Sequence, residues 1–478
     1  MVCSYCGYEN KDTAKFCGNC GKKIQASPKY CPECGTVVEE AGNFCLECGT
    51  HLTDIGVCTI NVGNTSINEI EDELEELQSS ELQYRGNGEI KNKIIHFDSQ
   101  LTCSKSLHFI DCTIYYNEQS YGNEIVVQEG ARLSIKNSTV ICKGYSPSPF
   151  ISCDDGVSVE FVDSKFIDCS YFLYASNDAT FKMKGCELSC CYDGFVEIHA
   201  AENHCSISDT RILQGQMNSF YFVEDRNSHP ILISIDTYGD QNVDFYNNTI
   251  VEEPVFREIS SDLDYLDNLL CYFSCDEATV RNCSFTGISR CIDAPWVTNC
   301  TFKDCLSGIK TRSCNRNSPS IDGCSFENCT KSIVADERTI VRACTFTSCQ
   351  GCLISGHGIR VDSCQFRNVK KGANDISNEF GILAFETFSP SVVNNCTFDG
   401  VELHGRSYLI AAENGEKPSG VFVTVRGCSF RNCSTTCYDG VIRQFIEFYG
   451  AFTTLKEYKK AVVDISDCVG LDRVRIKG

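Results

Sequence analysis

Between residues 282 and 430 the chain repeats a short figure: a corner-forming residue, then apolar, polar, apolar. The copies are Asn282-Cys283-Ser284-Phe285, Asn299-Cys300-Thr301-Phe302, Gly323-Cys324-Ser325-Phe326, Ala343-Cys344-Thr345-Phe346, Ser363-Cys364-Gln365-Phe366, Asn395-Cys396-Thr397-Phe398 and Gly427-Cys428-Ser429-Phe430. Residues two apart share one side of a strand, so Cys and Phe point inward together while Ser or Thr points out. The Asn, Asp or Gly in front of them tolerates the left-handed backbone of a sharp corner. Weaker copies run ahead of these, at Asn137-Ser138-Thr139-Val140, Asp163-Ser164-Lys165-Phe166, Gly185-Cys186-Glu187-Leu188, Asp209-Thr210-Arg211-Ile212 and Asn248-Thr249-Ile250, and a late echo follows at Asp467-Cys468-Val469. A second small-residue corner and another apolar strand follow each clear copy, as in Asp304-Cys305-Leu306-Ser307-Gly308-Ile309.

Successive cysteines of the clear copies lie 17, 24, 20, 20, 32 and 32 residues apart, a unit of about twenty residues with insertions. Three short strands per unit, stacked so that like residues pile on like, predict a mainly β fold, a parallel β-helix over residues 90–478. The pattern resembles the right-handed β-helix of the pectate-lyase-like superfamily, in its repeat and not in any catalytic motif. Insertions at 213–246, 251–275, 368–392 and 434–460 break the period and are where a groove or binding lobe would be built.

The first fifty residues follow a different rule. Cys3 and Cys6, then Cys17 and Cys20, form C-x2-C pairs ten residues apart, and Cys31 and Cys34, then Cys45 and Cys48, repeat the arrangement; Gly7, Gly21, Gly35 and Gly49 follow the pairs. Two thiolates separated by two residues converge on one ion, and two such knuckles close a tetrahedral four-thiolate shell. Two zinc ribbons are expected, 1–26 and 27–52, each holding one structural zinc ion. They resemble the double zinc ribbons of bacterial and archaeal multidomain proteins, which implies contact with protein or nucleic acid. A closed four-cysteine shell has no open position for substrate, so the expected role of the metal is to fold the module.

Residues 53–89 link the two parts and are acidic. Thr65-Ser66-Ile67-Asn68-Glu69 has the form of a capping box, and Ile67, Ile70, Leu74 and Leu77 recur at steps of three and four, so a short amphipathic helix over 66–82 is expected, as a lid on the first coil or a partner-binding element.

Composition narrows the partners. A formal charge of −22 over 478 residues opposes binding to nucleic acid or to an anionic membrane, both of which need clustered Lys and Arg. The opening residues show no leader pattern and no stretch is long enough to span a bilayer, so a cytoplasmic location is expected. Of 36 cysteines, 28 lie outside the ribbons, and thiolates kept free for zinc point to a reducing compartment in which those 28 fill the solenoid interior as small apolar groups. Five Asn-Cys-Ser/Thr triplets, at Asn282, Asn299, Asn328, Asn395 and Asn432, match a glycosylation sequon, but the repeat accounts for them.

Catalytic signals are few. Polygalacturonase-like glycosidases on this fold use Asp-Asp, Gly-His-Gly and Arg-Ile-Lys, and the chain holds Asp154-Asp155, Gly356-His357-Gly358 and Arg475-Ile476-Lys477 in that order. About 10 Å is the widest separation of a working acid and base pair. At about 4.8 Å per coil, Asp155 and His357 stand on the order of 40 Å apart, so the matches are chance tripeptides. Asp262, Asp264 and Asp267 form a dense acidic loop whose spacing fits no calcium loop. The expectation is a zinc-binding intracellular scaffold or interaction protein whose β-helix presents a face to a protein partner, with an extended polymer such as a polysaccharide as another ligand. The alternative is a carbohydrate-active enzyme, a lyase or glycoside hydrolase, with a site on the insertions. Metal analysis of the purified chain should return two zinc ions per molecule, and Cys34→Ser should lower that to one; a chain free of stoichiometric zinc contradicts the ribbon assignment.

Overall fold

The computed structural model describes the strands Lys29–Tyr30, Val37–Val38 and Glu75–Gln78 and, from 88 to 476, the coils of a solenoid, with longer breaks at 215–230, 253–270, 436–445 and 450–462. The chain divides into two compact units, Met1–Glu73 and Leu74–Gly478. In the first unit, Lys29–Tyr30 pairs antiparallel with Val37–Val38, a hairpin that brackets Cys31 and Cys34. The eight ribbon cysteines themselves lie outside the described residues.

The second unit is built of three long parallel sheets of 15, 15 and 14 strands, with a fourth of four short strands. One coil shows the path. Ala278–Arg281 lies in the first sheet, Ser284–Thr286 in the second, Arg290–Asp293 in the third, and Trp296–Thr298 returns to the first, one strand on. This is the expected parallel β-helix. The helix expected over 66–82 is corrected at Glu75–Gln78, which is a strand pairing parallel with Lys93–His96, Leu77 opposite Ile95. Pairing with the first coil overrides a helical pattern of modest propensity there. The solenoid therefore takes in residues ahead of the expected boundary at 90; the remainder of 66–82 lies outside the described residues.

Inside the wall the phenylalanines stack. Phe285, Phe302, Phe326, Phe346, Phe366, Phe398 and Phe430 form one column, with ring centroids 4.8 to 5.2 Å apart and planes within 2 to 9° of parallel. That spacing is the distance between neighbouring strands, so each ring is held by register and not by a search for packing partners. Stacked aromatic pairs add about 0.5–1.5 kcal/mol each beyond burial. Ile250 occupies the same column one coil earlier, opposite Phe285.

The corner between the first and second sheets is always two residues long in the repeat. Its first residue has positive φ: Asn282, Asn299 and Asn395 at 53 to 54°, Gly323 at 63° and even Ala343 at 53°. Its second residue is the cysteine, and the thiol does more than fill space. Cys283 Sγ donates to the carbonyl of Arg281 at 3.3 Å, Cys344 Sγ to that of Arg342 at 3.3 Å and Cys396 Sγ to that of Asn394 at 3.2 Å. The backbone N–H of Cys283 donates in turn to Cys300 Sγ, 3.4 Å away on the next coil. In earlier coils Ser138 and Ser164 hold this position, and their hydroxyls make the same bond to the carbonyls of Lys136 and Val162, at 2.7 and 2.8 Å. The position thus selects a small buried donor, which is why Ser and Cys exchange there and apolar residues do not appear.

One copy is realigned by register. Thr249 lies opposite Ser284, so Asn247 takes the left-handed corner, at φ 56°, and Asn248 takes the thiol's place. Asn248 is buried, its Nδ2 donating to the carbonyl of Ile207 and its Oδ1 accepting from the N–H of Thr210. A second left-handed corner follows the second-sheet strands of the clear repeat, where Asn328 donates through Nδ2 to Asp304 Oδ1 at 2.5 Å and Asn432 to Asp399 at 2.8 Å.

A substitution series at Cys344 tests the donor role. Cys344→Ser should keep most of the stability, and Cys344→Val, closer in volume but without a donor, should lose about 1–3 kcal/mol in denaturant unfolding. Equal losses for the two would show that the site only needs filling.

Candidate functional site

Because the corner between the first and second sheets keeps its length, the long breaks in the repeat fall, in the sequence, next to third-sheet strands. Residues 215–230 and 253–270 precede the third-sheet strands Ile233–Thr237 and Cys271–Ser274; residues 414–422 and 450–462 follow the third-sheet strands Tyr408–Glu413 and Ile446–Tyr449. The third sheet is therefore the face whose strands adjoin the insertions in sequence. Down its centre Tyr174, Glu197, Ser234, Ser274, Asp293 and Lys310 lie opposite one another in successive strands.

Two acid–base pairs punctuate this row. Glu197 Oε1 meets His199 Nε2 at 2.7 Å on the same strand, with the ring of Tyr174 5.5 Å from the imidazole. Both partners are about two-fifths exposed, at 37 and 42%. Further on, Arg290 Nη2 binds Asp293 Oδ2 at 3.1 Å, and here both are buried, at 10 and 1% exposure. Glu277 is buried nearby, and Asp276 accepts from the N–H of Thr237. A buried ion pair tolerates loss of either member poorly, because the remaining charge is stranded in a region of low dielectric. Each acid of the row is matched to a base on its own strand. Glu197 and Asp293 are three strand steps apart, about 14 Å, too far to act as acid and base on one glycosidic bond.

The tripeptides shared with polygalacturonase-like enzymes do not meet. Asp154 and Asp155 follow the third-sheet strand Ile151–Cys153, and His357 follows Ile354–Gly356 at the equivalent turn. Eight strand steps separate the two, about 38 Å. Arg475–Ile476 lies in the fourth sheet, opposite Ser434–Thr435. Asp262, Asp264 and Asp267 lie outside the described residues, and among the described residues no group of three or more His, Cys, Asp and Glu side chains could hold a metal ion. Nor is there, among them, a helix long and apolar enough to cross a membrane.

Nothing along the chain signals Arg290–Asp293 as a buried pair: one charge at each end of Arg290-Cys291-Ile292-Asp293 reads as an ordinary solvated strand. Only the coil stacked above and below removes the water. Cys186 and Cys205 are poor nucleophiles for a related reason. Burial pushes Cys186 and Cys205 up to about 11, and a thiol held protonated neither attacks nor binds metal readily.

Residues 3–49 match the family model described as Double zinc ribbon, and residues 267–442 that described as Right handed beta helix region. No curated protein matches the sequence. Among solved structures, the catalytic domain of an alpha-1,3-glucanase in complex with nigerose aligns over 80% of this chain and 65% of its own at 10% identity, TM-score 0.30. The tailspike protein of an E. coli bacteriophage in complex with pentasaccharide aligns over 76 and 72% at 10% identity, TM-score 0.34. Endopolygalacturonase I from Stereum purpureum aligns over 73 and 96% at 12% identity, TM-score 0.25. The chain spans just under two thirds of the glucanase domains it matches. Likenesses of this size carry no argument about what the chain binds or does.

The raised thiols set an alkaline limit. Below pH 9 Cys186 and Cys205 are protonated in both folded and unfolded chains, so their contribution is fully present; between about pH 9 and 11 the unfolded thiols ionise first, and stability falls as pH rises. Unfolding free energies at pH 8 and 10.5 should differ less in a Cys186→Ser, Cys205→Ser double variant than in the parent. An unchanged difference would remove the thiols as its cause.

Proposed function

We propose that this double zinc ribbon joined to a right-handed parallel β-helix is an interaction protein. The ribbons, with one structural zinc each on Cys3, Cys6, Cys17 and Cys20 and on Cys31, Cys34, Cys45 and Cys48, serve as the adaptor. The solenoid presents the third-sheet face, whose strands adjoin the insertions in sequence, to an extended partner. The observation that carries this reading is the matching of acids to bases along the row from Tyr174 to Lys310, with Glu197 on His199 at the surface and Asp293 on Arg290 in the wall, which leaves neither carboxylate of that row without a base. Register fixes that row over many coils, so a partner would pay little to order it. A reducing, cytoplasmic setting is supported by the cysteines: among the described residues all are free thiols. Acidic composition speaks against nucleic acid as the partner of the solenoid.

The carbohydrate-active reading has one observation in its favour, the exposed Glu197–His199 pair beside Tyr174, a base and an aromatic side chain in one place. Along the described row the next carboxylate is Asp293, about 14 Å away.

Affinity capture with the whole chain, with a Cys34→Ser, Cys48→Ser ribbon variant, and with a Glu197→Arg, His199→Ala face variant separates the roles. The ribbon variant should lose one set of bound proteins and the face variant another. Identical sets from all three contradict the adaptor-and-face reading, and release of reducing ends from a polysaccharide that Glu197→Gln abolishes would replace it with the enzyme.

A further inference from the structure

We propose that the outward face of the first sheet carries a binding site for a neutral sugar ring, centred on Trp296, a site separate from the third-sheet face and independent of the role proposed for it. Trp296 is the chain's single tryptophan. It sits at an outward position, half-buried, while its neighbour Val297 points into the core. The residues directly opposite it on the two adjacent strands are Thr279 and Ser320, both small and hydroxylated, so the ring is not walled in along the axis of the solenoid.

The next outward row supplies polar groups in register: Tyr246, Arg281, Thr298, Asp322 and Arg342 on five successive strands. The Arg281 guanidinium lies over the Tyr246 ring, 5.0 Å from its centre, and also meets Asp244 at 3.4 Å. Asp322 binds Arg342. An aromatic face beside forked donors and carboxylate acceptors is what a pyranose needs, since its C–H face packs on the ring while its hydroxyls both donate and accept.

Charge selects among sugars. Arg281 faces Asp244 and Arg342 faces Asp322, so the patch offers no surplus positive field to a uronate, and a neutral saccharide fits it better. Composition disfavours a protein partner here. Among the described residues the exposed large hydrophobics are Ile340 and Val469, too little apolar surface for the core of a protein interface. Successive strands repeat the outward groups at about 4.8 Å, so a chain of sugars lying along the axis meets polar side chains in every coil.

The single tryptophan makes the test direct. Emission of the whole protein is titrated with maltohexaose, cellohexaose and hexagalacturonate, each to roughly 10 mM, a range suited to the weak binding expected of one stacked ring. The site predicts a saturable change in Trp296 emission with a neutral hexaose and a smaller or absent one with the uronate. In affinity electrophoresis through a gel containing the corresponding neutral polysaccharide, Trp296→Ala should bind about tenfold more weakly or worse, the loss of one aromatic contact. Trp296→Phe keeps a stacking ring and should stay within a few-fold of the parent, which separates lost binding from lost folding. Emission that responds to no neutral hexaose, a response to the uronate alone, or unchanged retardation of Trp296→Ala each overturns the assignment. None of these outcomes touches the ribbons or the third-sheet face.

Discussion

The two-residue turn between the first and second sheets is the constraint on which the rest of the molecule depends. A chain that must bend from one sheet into the next within two residues needs one left-handed residue, and the one after it is then carried into the interior with its backbone groups out of line with the sheets. Unsatisfied, those groups would cost about 1–3 kcal/mol apiece in every coil. A thiol or hydroxyl on the buried residue answers both needs, donating to the carbonyl two residues back and, where the next coil follows closely, accepting from the N–H of the coil before, as Cys300 does from Cys283.

Repetition of that turn fixes everything inward of it. With the corner constant, strand follows strand in register, and Phe285 through Phe430 meet face to face without adjustment. Variation in length is driven to the other two corners. The same constraint that stacks the core therefore decides where in the coil the length can change. First and second sheets meet along a regular edge; the breaks in the repeat adjoin strands of the third.

Much of this was legible in the sequence because the corner writes itself there, as Asn, Asp or Gly followed by Cys and, two residues on, Phe. The alternation showed inward and outward positions, and the spacing showed the coil. Three things were hidden. Glu75–Gln78 carries a helical pattern, yet it has an open coil to pair with, and pairing prevails. Asn248 resembles the corner asparagines but is the buried donor, and only the register with Ser284 reveals the shift by one. Arg290 and Asp293 are charges on a short strand whose burial is created by neighbours distant in sequence. Asp154 and His357 mislead in the opposite way: they match a catalytic order while the fold keeps them eight strands apart.

Function follows from the same geometry, through faces and not through a cleft. A regular wall offers rows of side chains at fixed intervals, suited to holding something extended, and the zinc ribbons add a second point of attachment. The claim beneath this account is that the interior thiols are hydrogen-bond donors and not passive filling. Raman spectroscopy of the S–H stretch in the native protein tests it most directly. The account predicts that most of the thiol intensity lies at the lowered frequency of hydrogen-bonded S–H and persists for hours in D2O, whereas a spectrum dominated by free thiol that exchanges within minutes would contradict it.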